Sequence, residues 1–327
     1  MRKPGWNIFW LFVGIAACAN LSILDSSAQS YPIKPIRLFV GFSAGSAPDA
    51  IGRTLAPILL ENLGQPLIIE NRGGAGGSIA TATVAKAPAD GYTLLMMAAA
   101  DTLQPALRAN LPYDLERDLA PVSMVATGTA VLSVHPSLPA RNVKELITLA
   151  RAHPGKLNYG SSGVGSSSHL MGELFNLMAE VKIAHVPYKG SADSAIATVA
   201  GQIEVSFPSV VAVGSLVAAR KLRALAVTSA KRSSLLPSLP TVSEAGLTGY
   251  DRSTFFGVVV PTGVPKDIIT RLNAVLGKVV NTPEIKALLI KQGLEPQTST
   301  PEQFASFIHA QIAQNAKLIK LVGVKTQ

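Results

Sequence analysis

This 327-residue chain has one cysteine, Cys18, and it falls in a segment that reads as a removable leader. Without that segment the chain cannot form a disulfide, so its stability must come from an apolar core. Charge is also scarce, at 15% of residues against 48% hydrophobic. That balance excludes disorder and suits one large or two medium globular domains. Long apolar runs are missing. Ile8 to Ala19 is twelve residues, well short of the ~20 a membrane helix needs. With Arg2 and Lys3 before it and Ser26-Ser27-Ala28 after it, this run reads as a secretory signal peptide (residues 1–28) cleaved near Ala28. The mature chain is then exported and soluble. Ile15-Ala16-Ala17-Cys18 also carries the small-residue pattern of lipoprotein processing, which would leave a lipid anchor on Cys18. A basic stripe interleaved with aromatics is absent too. The +9 net charge is scattered, which argues against nucleic acid and for a surface that attracts small anions, with a plain solvated surface as the alternative.

What is present is a regular alternation. Ile36–Val40 reads as a buried strand, followed by a helix face at Ile51, Leu55, Ile58, Leu59 and Leu63 that Gly64 stops and Pro57 should kink. Leu67–Ile69 is the next strand, Ile79–Ala87 the next helix and Tyr92–Met97 the third strand. Further strands are expected at Val131–Val134, Lys156–Tyr159, Lys182–Val186, Ile203–Phe207, Leu222–Val227 and Phe255–Val260. Helices are expected at Val143–Arg151, Ser167–Met178 and Ala192–Ala200, and from Pro265, Pro283 and Pro301. Thr300-Pro301-Glu302-Gln303 is a capping box. One strand per βαβ length predicts two α/β domains, each a mixed, mostly parallel sheet flanked by helices, with the C-terminal helices returning to the first.

Three loops rich in glycine or serine each join a strand to a helix: GFSAGSAPD (41–49), NRGGAGGS (71–78) and GSSGVGSSSH (160–169). Eight of the ten residues from Gly160 to His169 are Gly or Ser. Loops at the carboxyl ends of parallel strands line the crevice where α/β proteins bind ligands. A helix N-terminus there offers N–H groups and partial positive charge to an anion, and small side chains let the anion approach. Ser46 is a candidate cap for its helix, with Asp49 reaching back. Tight turns that merely need glycine are the plain alternative.

Enzymatic readings meet specific obstacles. Gly160 and Gly165 have P-loop spacing, but Ser166 occupies the lysine position; Gly74-Ala75-Gly76 lacks the third glycine of a dinucleotide fingerprint. Gly41-Phe42-Ser43-Ala44-Gly45 is a literal G-x-S-x-G after a strand and before a helix, the mark of a serine hydrolase elbow. It comes on the first strand, with no room upstream for an oxyanion loop. His169 and Glu173 lie one helical turn apart without a third ligand, so no metal site is expected.

Seven segments resemble one family in order along the chain: YPIKPIRLFVGFSAG, GQPLIIENRGGAGGSIA, APADGYTLL, GKLNYGSSGVGSSSHLMGELF, HVPYKG, KLRALAVTSAKRS and LPTVSEAGL. They look like the solute-binding receptors of tripartite tricarboxylate transporters, the Bug-type periplasmic receptors. The resemblance implies a two-lobed periplasmic binding protein of type II that closes like a Venus flytrap. Residues 29–127 and 252–327 would form one lobe and 128–251 the other, with crossings at Ser123–Val134 and Tyr250–Val260. It implies a monomeric receptor, without catalysis, metal or cofactor, that delivers a small organic acid to membrane permease subunits. A ligand sensor for a signalling partner is the related alternative. By position, the ligand site falls on Ser43, Ala44, Gly45, Ser46 and Asp49 of the first loop. It continues at Gly74, Ala75, Gly76 and Gly77, at Asp101, and at Gly163, Ser166, Ser167, Ser168 and His169. Tyr188, Lys189 and Ser209 complete it. Ser43, Ser46 and Pro48 replace the family's usual Pro, Gly and Thr. Pro208-Ser209 replaces a common Asp-Asn, so the ligand can differ from the usual di- and tricarboxylates.

Overall fold

The computed structural model describes residues 31–323, so the leader and Cys18 lie outside the described residues. From Ile36 strand and helix alternate: β1 (Ile36–Val40), α1 (Ala47–Leu63), β2 (Leu67–Asn71), α2 (Ser78–Ala85), β3 (Thr93–Ala98) and α3 (Gln104–Leu107). β4 (Leu119–Gly128) then runs almost directly into β5 (Val131–Val134) of a second sheet. There follow α4 (Val143–Ala152), β6 (Asn158–Ser161), α5 (Ser167–Ala179), β7 (Ala184–Pro187), α6 (Ser191–Val199), β8 (Val205–Ser206), α7 (Val210–Ala218) and β9 (Arg223–Val227). β10 (Thr254–Pro261) returns to the first sheet, and α8 (Lys266–Val280), α9 (Pro283–Lys291), β11 (Leu294–Pro296) and α10 (Pro301–Val322) follow it.

The first sheet has the order β11-β4-β10-β3-β1-β2 and the second β7-β6-β8-β5-β9. Both are mixed and flanked by helices, as expected, but the parallel share is smaller than expected. The βαβ units β2-β1-β3 and β7-β6-β8 are parallel, whereas β4, β10, β11, β5 and β9 enter antiparallel. The antiparallel pairs arise because β4 and β10 carry the chain between the sheets in opposite directions, so they lie side by side. Helix α7 was not foreseen. Its sequence VVAVGSLVA is apolar nearly all round and shows no helical stripe. β6 begins two residues later than expected, after a turn in which Gly155 has φ +71°, and β8 shrinks to two residues. α1 continues through Pro57 as one element.

Period-two alternation builds the core of the first lobe. Ile36, Leu38 and Val40 of β1 and Leu94 and Met96 of β3 pack with α1 and α8 on one face. Phe39, Leu95 and Met97 pack with α2 and α10 on the other. A sheet covered on both faces needs continuously apolar strands, and β3 is buried throughout. In the second lobe Leu132 and Val134 face α4 and α5, while Val131 faces α6 and α7.

The two crossings are tied together. Thr228 Oγ1 accepts from Ala130 N–H at 3.1 Å, and Thr228 O accepts from Arg252 N–H at 2.7 Å. A small apolar cluster also bridges the lobes, with Leu170 of α5 against Leu103, Leu318 and Ile319. The C-terminal half of α10 thus reaches from the first lobe to the second.

Candidate functional site

The two loops of the first lobe meet backbone to backbone. A Cβ on Gly41 would lie 2.7 Å from Gly77 Cα, so only glycine permits this approach. Gly45, at φ +81°, donates its N–H to Asp49 Oδ2 at 2.9 Å, and Arg53 Nε pairs with the same carboxylate at 3.0 Å. Burial alone would raise the Asp49 carboxyl, but Arg53 and the Gly45 N–H hold it below its usual value. The expected capping arrangement therefore needs correcting. Asp49 reaches back to Gly45, and Ser46 Oγ caps nothing and has no partner.

Beneath the second loop lies Asp101, 1% exposed. Its carboxylate accepts from Thr81 Oγ1 at 2.9 Å and from Ala98 N–H at 2.8 Å. Burial outweighs these bonds and raises its carboxyl to about 6. Asp49 and Asp101 thus brace the loops from behind. Among the described residues, the N–H groups of Ser43, Ala44, Gly74 and Ala75 make no hydrogen bond within the protein.

The loop of the second lobe binds more of its own donors. Ser162 N–H goes to Ser168 Oγ, Gly163 N–H to Ser161 Oγ and Gly165 N–H to His169 Nδ1. Ser166 Oγ caps α5 by accepting the His169 N–H at 3.2 Å. The His169 ring stacks on His185 at 4.0 Å. Burial and His185 together push His169 down to about 4. It is therefore neutral at physiological pH, as accepting the Gly165 N–H requires, and its 3.9 Å approach to Glu173 is no ion pair. Tyr188 lies behind Gly160 and Gly163, with its N–H on Ser161 O. Lys189 is exposed, as is Ser209, whose N–H donates to Ser191 Oγ.

Between these loops is a cleft of about 460 Å³ walled by both lobes. The first lobe contributes Phe42, Gly76, Ala100, Gln104, Leu107 and Arg108; the second contributes Ser162, Val164, Gly165, Ser166 and Ser167. The lobes nearly touch at its rim, where a Cβ on Gly165 would lie 3.1 Å from Leu107 Cδ1. Of the residues expected from the sequence, the cleft gathers Gly76, Ser166 and Ser167. Ser43, Ala44 and Gly45 are exposed on the loop beside Phe42. Ser46, Gly74, Ala75, Gly77, Gly163 and Ser168 shape the loops without lining the cleft.

Arg108 and Gln104 were missed. Arg108 Nε donates to Gln104 Oε1 at 3.0 Å, and among the described residues no carboxylate pairs with Arg108. It is the cation of the cleft wall. The signal was available, because α3 begins after the third strand-to-helix junction and the same crevice rule applies there. The Gly41–Gly45 elbow finds no support in the geometry. Ser43 is exposed, and its hydroxyl bonds no histidine among the described residues.

The whole chain has recognisable relatives. Residues 51–324 match the family described as tripartite tricarboxylate transporter family receptor. Protein BugT of Bordetella pertussis is 35% identical over 321 residues, which cover 98% of this chain and 96% of that protein. An R. palustris protein solved with adipate superposes with a TM-score of 0.79 at 36% identity, covering 91% of this chain and 100% of that one. Periplasmic binding protein BugD gives a TM-score of 0.75 at 31% identity, covering 91% and 100%. No helix among the described residues is long and apolar enough to cross a membrane. Two lobes, a cleft walled by both, and a match over most of the length agree: the chain belongs to the tripartite tricarboxylate transporter receptor family.

Proposed function

We propose that this protein is an extracytoplasmic receptor that captures a small carboxylate between its lobes and delivers it to the membrane subunits of a tripartite transporter. The observation that carries this reading is the cleft itself, with one unpaired guanidinium, Arg108, facing serine hydroxyls and a helix N-terminus across the gap. Charge-assisted hydrogen bonds to a carboxylate are the strongest such a wall can make, and enclosure strengthens them. Phe42, Leu107 and Val164 line the rest of the cleft, which suits an acid with an apolar body. The adipate held by the R. palustris relative has that chemistry. In this reading Gly76, Gln104, Arg108, Ser162, Ser166 and Ser167 meet the ligand. Asp49, Asp101, His169 and Tyr188 hold the loops in place, and Ser43–Gly45 and Lys189 stand at the mouth.

We further propose that residues 29–127 with 252–327 and residues 128–251 move as the two lobes. The leader is removed near Ala28, and the mature receptor acts in the periplasm as a monomer without catalysis. A thermal-shift panel of mono-, di- and tricarboxylates, their amides and sugars tests the central reading. A matching acid at a hundredfold excess over Kd should add about 2.7 kcal/mol of stability, several degrees in Tm. Arg108→Gln should cut its affinity about tenfold or more, the worth of one charged hydrogen bond. A panel in which only sugars or amides shift Tm would end the carboxylate reading.

A further inference from the structure

Beside the hinge, α5 of the second lobe and α10 of the first run past each other and leave a groove of about 560 Å³, larger than the interlobe cleft. Leu174, Leu177 and Met178 form one wall and Phe307, Leu318 and Leu321 the other. Leu177 and Leu321 are 41% and 56% exposed, so this apolar surface is open to solvent. Arg252, partly buried, lies at the groove floor where the second crossing begins. Its guanidinium makes one side-chain hydrogen bond, 2.7 Å to Asn315 Oδ1. Among the described residues no carboxylate pairs with it. The adjacent Asp251 is engaged elsewhere, its Oδ1 accepting from Ala230 N–H and the Ser253 hydroxyl. Desolvation draws the Arg252 pKa below its ordinary value, and Tyr250 and Asp251 offset only part of that.

Four of the five guanidinium N–H donors of Arg252 meet no protein acceptor among the described residues, which leaves them available to an anion entering the groove. The walls beside it are mixed: the leucines, Met178 and Phe307 supply hydrocarbon, and Asp251, Ser253, Gln311, Gln314 and Lys317 supply the polar remainder. A cavity of this volume accepts a small organic molecule. The two demands, an anionic head at the floor and an apolar body along the walls, define an amphiphile.

We propose that the groove between α5 and α10 is a second binding site, for a medium-chain aliphatic monocarboxylate. Its head pairs with Arg252, and its chain lies along Leu174, Leu177, Met178 and Phe307. Lys317 at the groove edge adds a second cation. Each wall belongs to a different lobe, so an occupant favours the lobe arrangement that fits it. Arg252 also communicates with the interlobe cleft through a short chain of contacts. Asn315 Nδ2, buried, donates to Thr102 Oγ1 at 2.9 Å, and Thr102 lies between Ala100 and Gln104 of the cleft wall. The proposal does not depend on which ligand that cleft takes.

Isothermal titration of the mature chain with sodium octanoate, acetate and 1-octanol tests it. Octanoate should fill a saturable site, with acetate and 1-octanol at least about tenfold weaker because each lacks one half of the recognition. Arg252→Gln should weaken octanoate about tenfold or more. Leu177→Asp, at an exposed position and with its fold checked by circular dichroism, should do the same by placing a charge beside the chain. Arg108→Gln should leave octanoate affinity within about twofold. The proposal is overturned if no site saturates, or if both groove variants bind octanoate as the parent does. It is equally overturned if Arg108→Gln abolishes binding, which would put the acid in the interlobe cleft.

Discussion

Asp101 and His169 show how much an ordinary-looking side chain can do once it is buried. Asp101 has a raised pKa, about 6 against an ordinary 3.8. The folded chain therefore holds a proton that the unfolded chain has lost, and stability falls as the pH rises through that window. His169 has a depressed pKa, about 4 against 6.5. Here the unfolded chain takes up the proton first, and stability falls as the pH drops through that window. Each effect is worth about 3 kcal/mol at most, and over pH 4 to 6 they oppose one another. His169→Gln should remove one arm, so that its stability relative to the parent falls as the pH rises from 4.5 to 6. Asp101→Asn should show the opposite trend. Urea unfolding of the three proteins at both pH values measures the difference, and parallel pH curves would show that neither group is shifted as described.

Residue-scale reading from the sequence was uneven for the same reason. The small residues of the loops were legible, because glycine and serine before a helix have few other uses. Which of them face the cleft was not, since Gly76 and Gly165 differ from their neighbours only in backbone direction. Both have positive φ, +67° and +75°, so a valine at either would strain the loop as well as narrow the cleft. The buried acids Asp49 and Asp101 looked like ligand contacts because a carboxylate near a Gly-rich loop gives no sign of which side it faces.

At the scale of elements, α5 carries most of the information. Its start was legible from the serine run, but the apolar face that the spacing suggests, Leu170, Leu174, Leu177 and Met178, is buried only at Leu170. Met171, Phe175 and Ala179 complete the buried face, and Leu177 is exposed. What the pattern could not reveal is Gly172. A helical glycine normally weakens its helix by about 1 kcal/mol relative to alanine. Here a Cβ would run into the ring of Tyr159, which is fully buried and donates its hydroxyl to Glu173 Oε1 at 2.6 Å. Gly172→Ala should therefore lower Tm, with an overpacking cost of about 1–3 kcal/mol exceeding the helix gain. Differential scanning calorimetry decides the sign; a rise in Tm would mean that Tyr159 can move aside. Helix α7 and the short strand β11 escaped, and β8 is shorter than expected, because length and periodicity, the two signals available, are both weak there.

At the scale of the whole molecule, the two-lobed plan was legible from the order of the motifs and the strandedness of the sheets was not. Sheet direction depends on how often the chain crosses between lobes, which local patterns do not encode. The crossings also set the expected motion. Thr228 fastens the two crossing strands at one place, and loops from both lobes wall the cleft, so rotation about that place opens and closes it. Small-angle scattering should give a larger radius of gyration for the unliganded protein than for the protein saturated with its acid. Superimposable curves would rule out hinge closure as the response to ligand.

One consequence follows from the position of β10. It lies between β3 and β4 in the middle of the first sheet, yet it begins only at Thr254, after every strand of the second sheet is complete. A nascent chain crossing a membrane from its N-terminus therefore exports the first lobe's strands early but cannot close that sheet until the end. The second lobe, continuous from β5 to β9, can settle while the first still waits with β3 and β4 unpaired at their facing edges. Such edges invite pairing with other chains. The order of the segments along the chain therefore leaves the first lobe, the one built from both ends of the protein, open to such pairing for longer than the second.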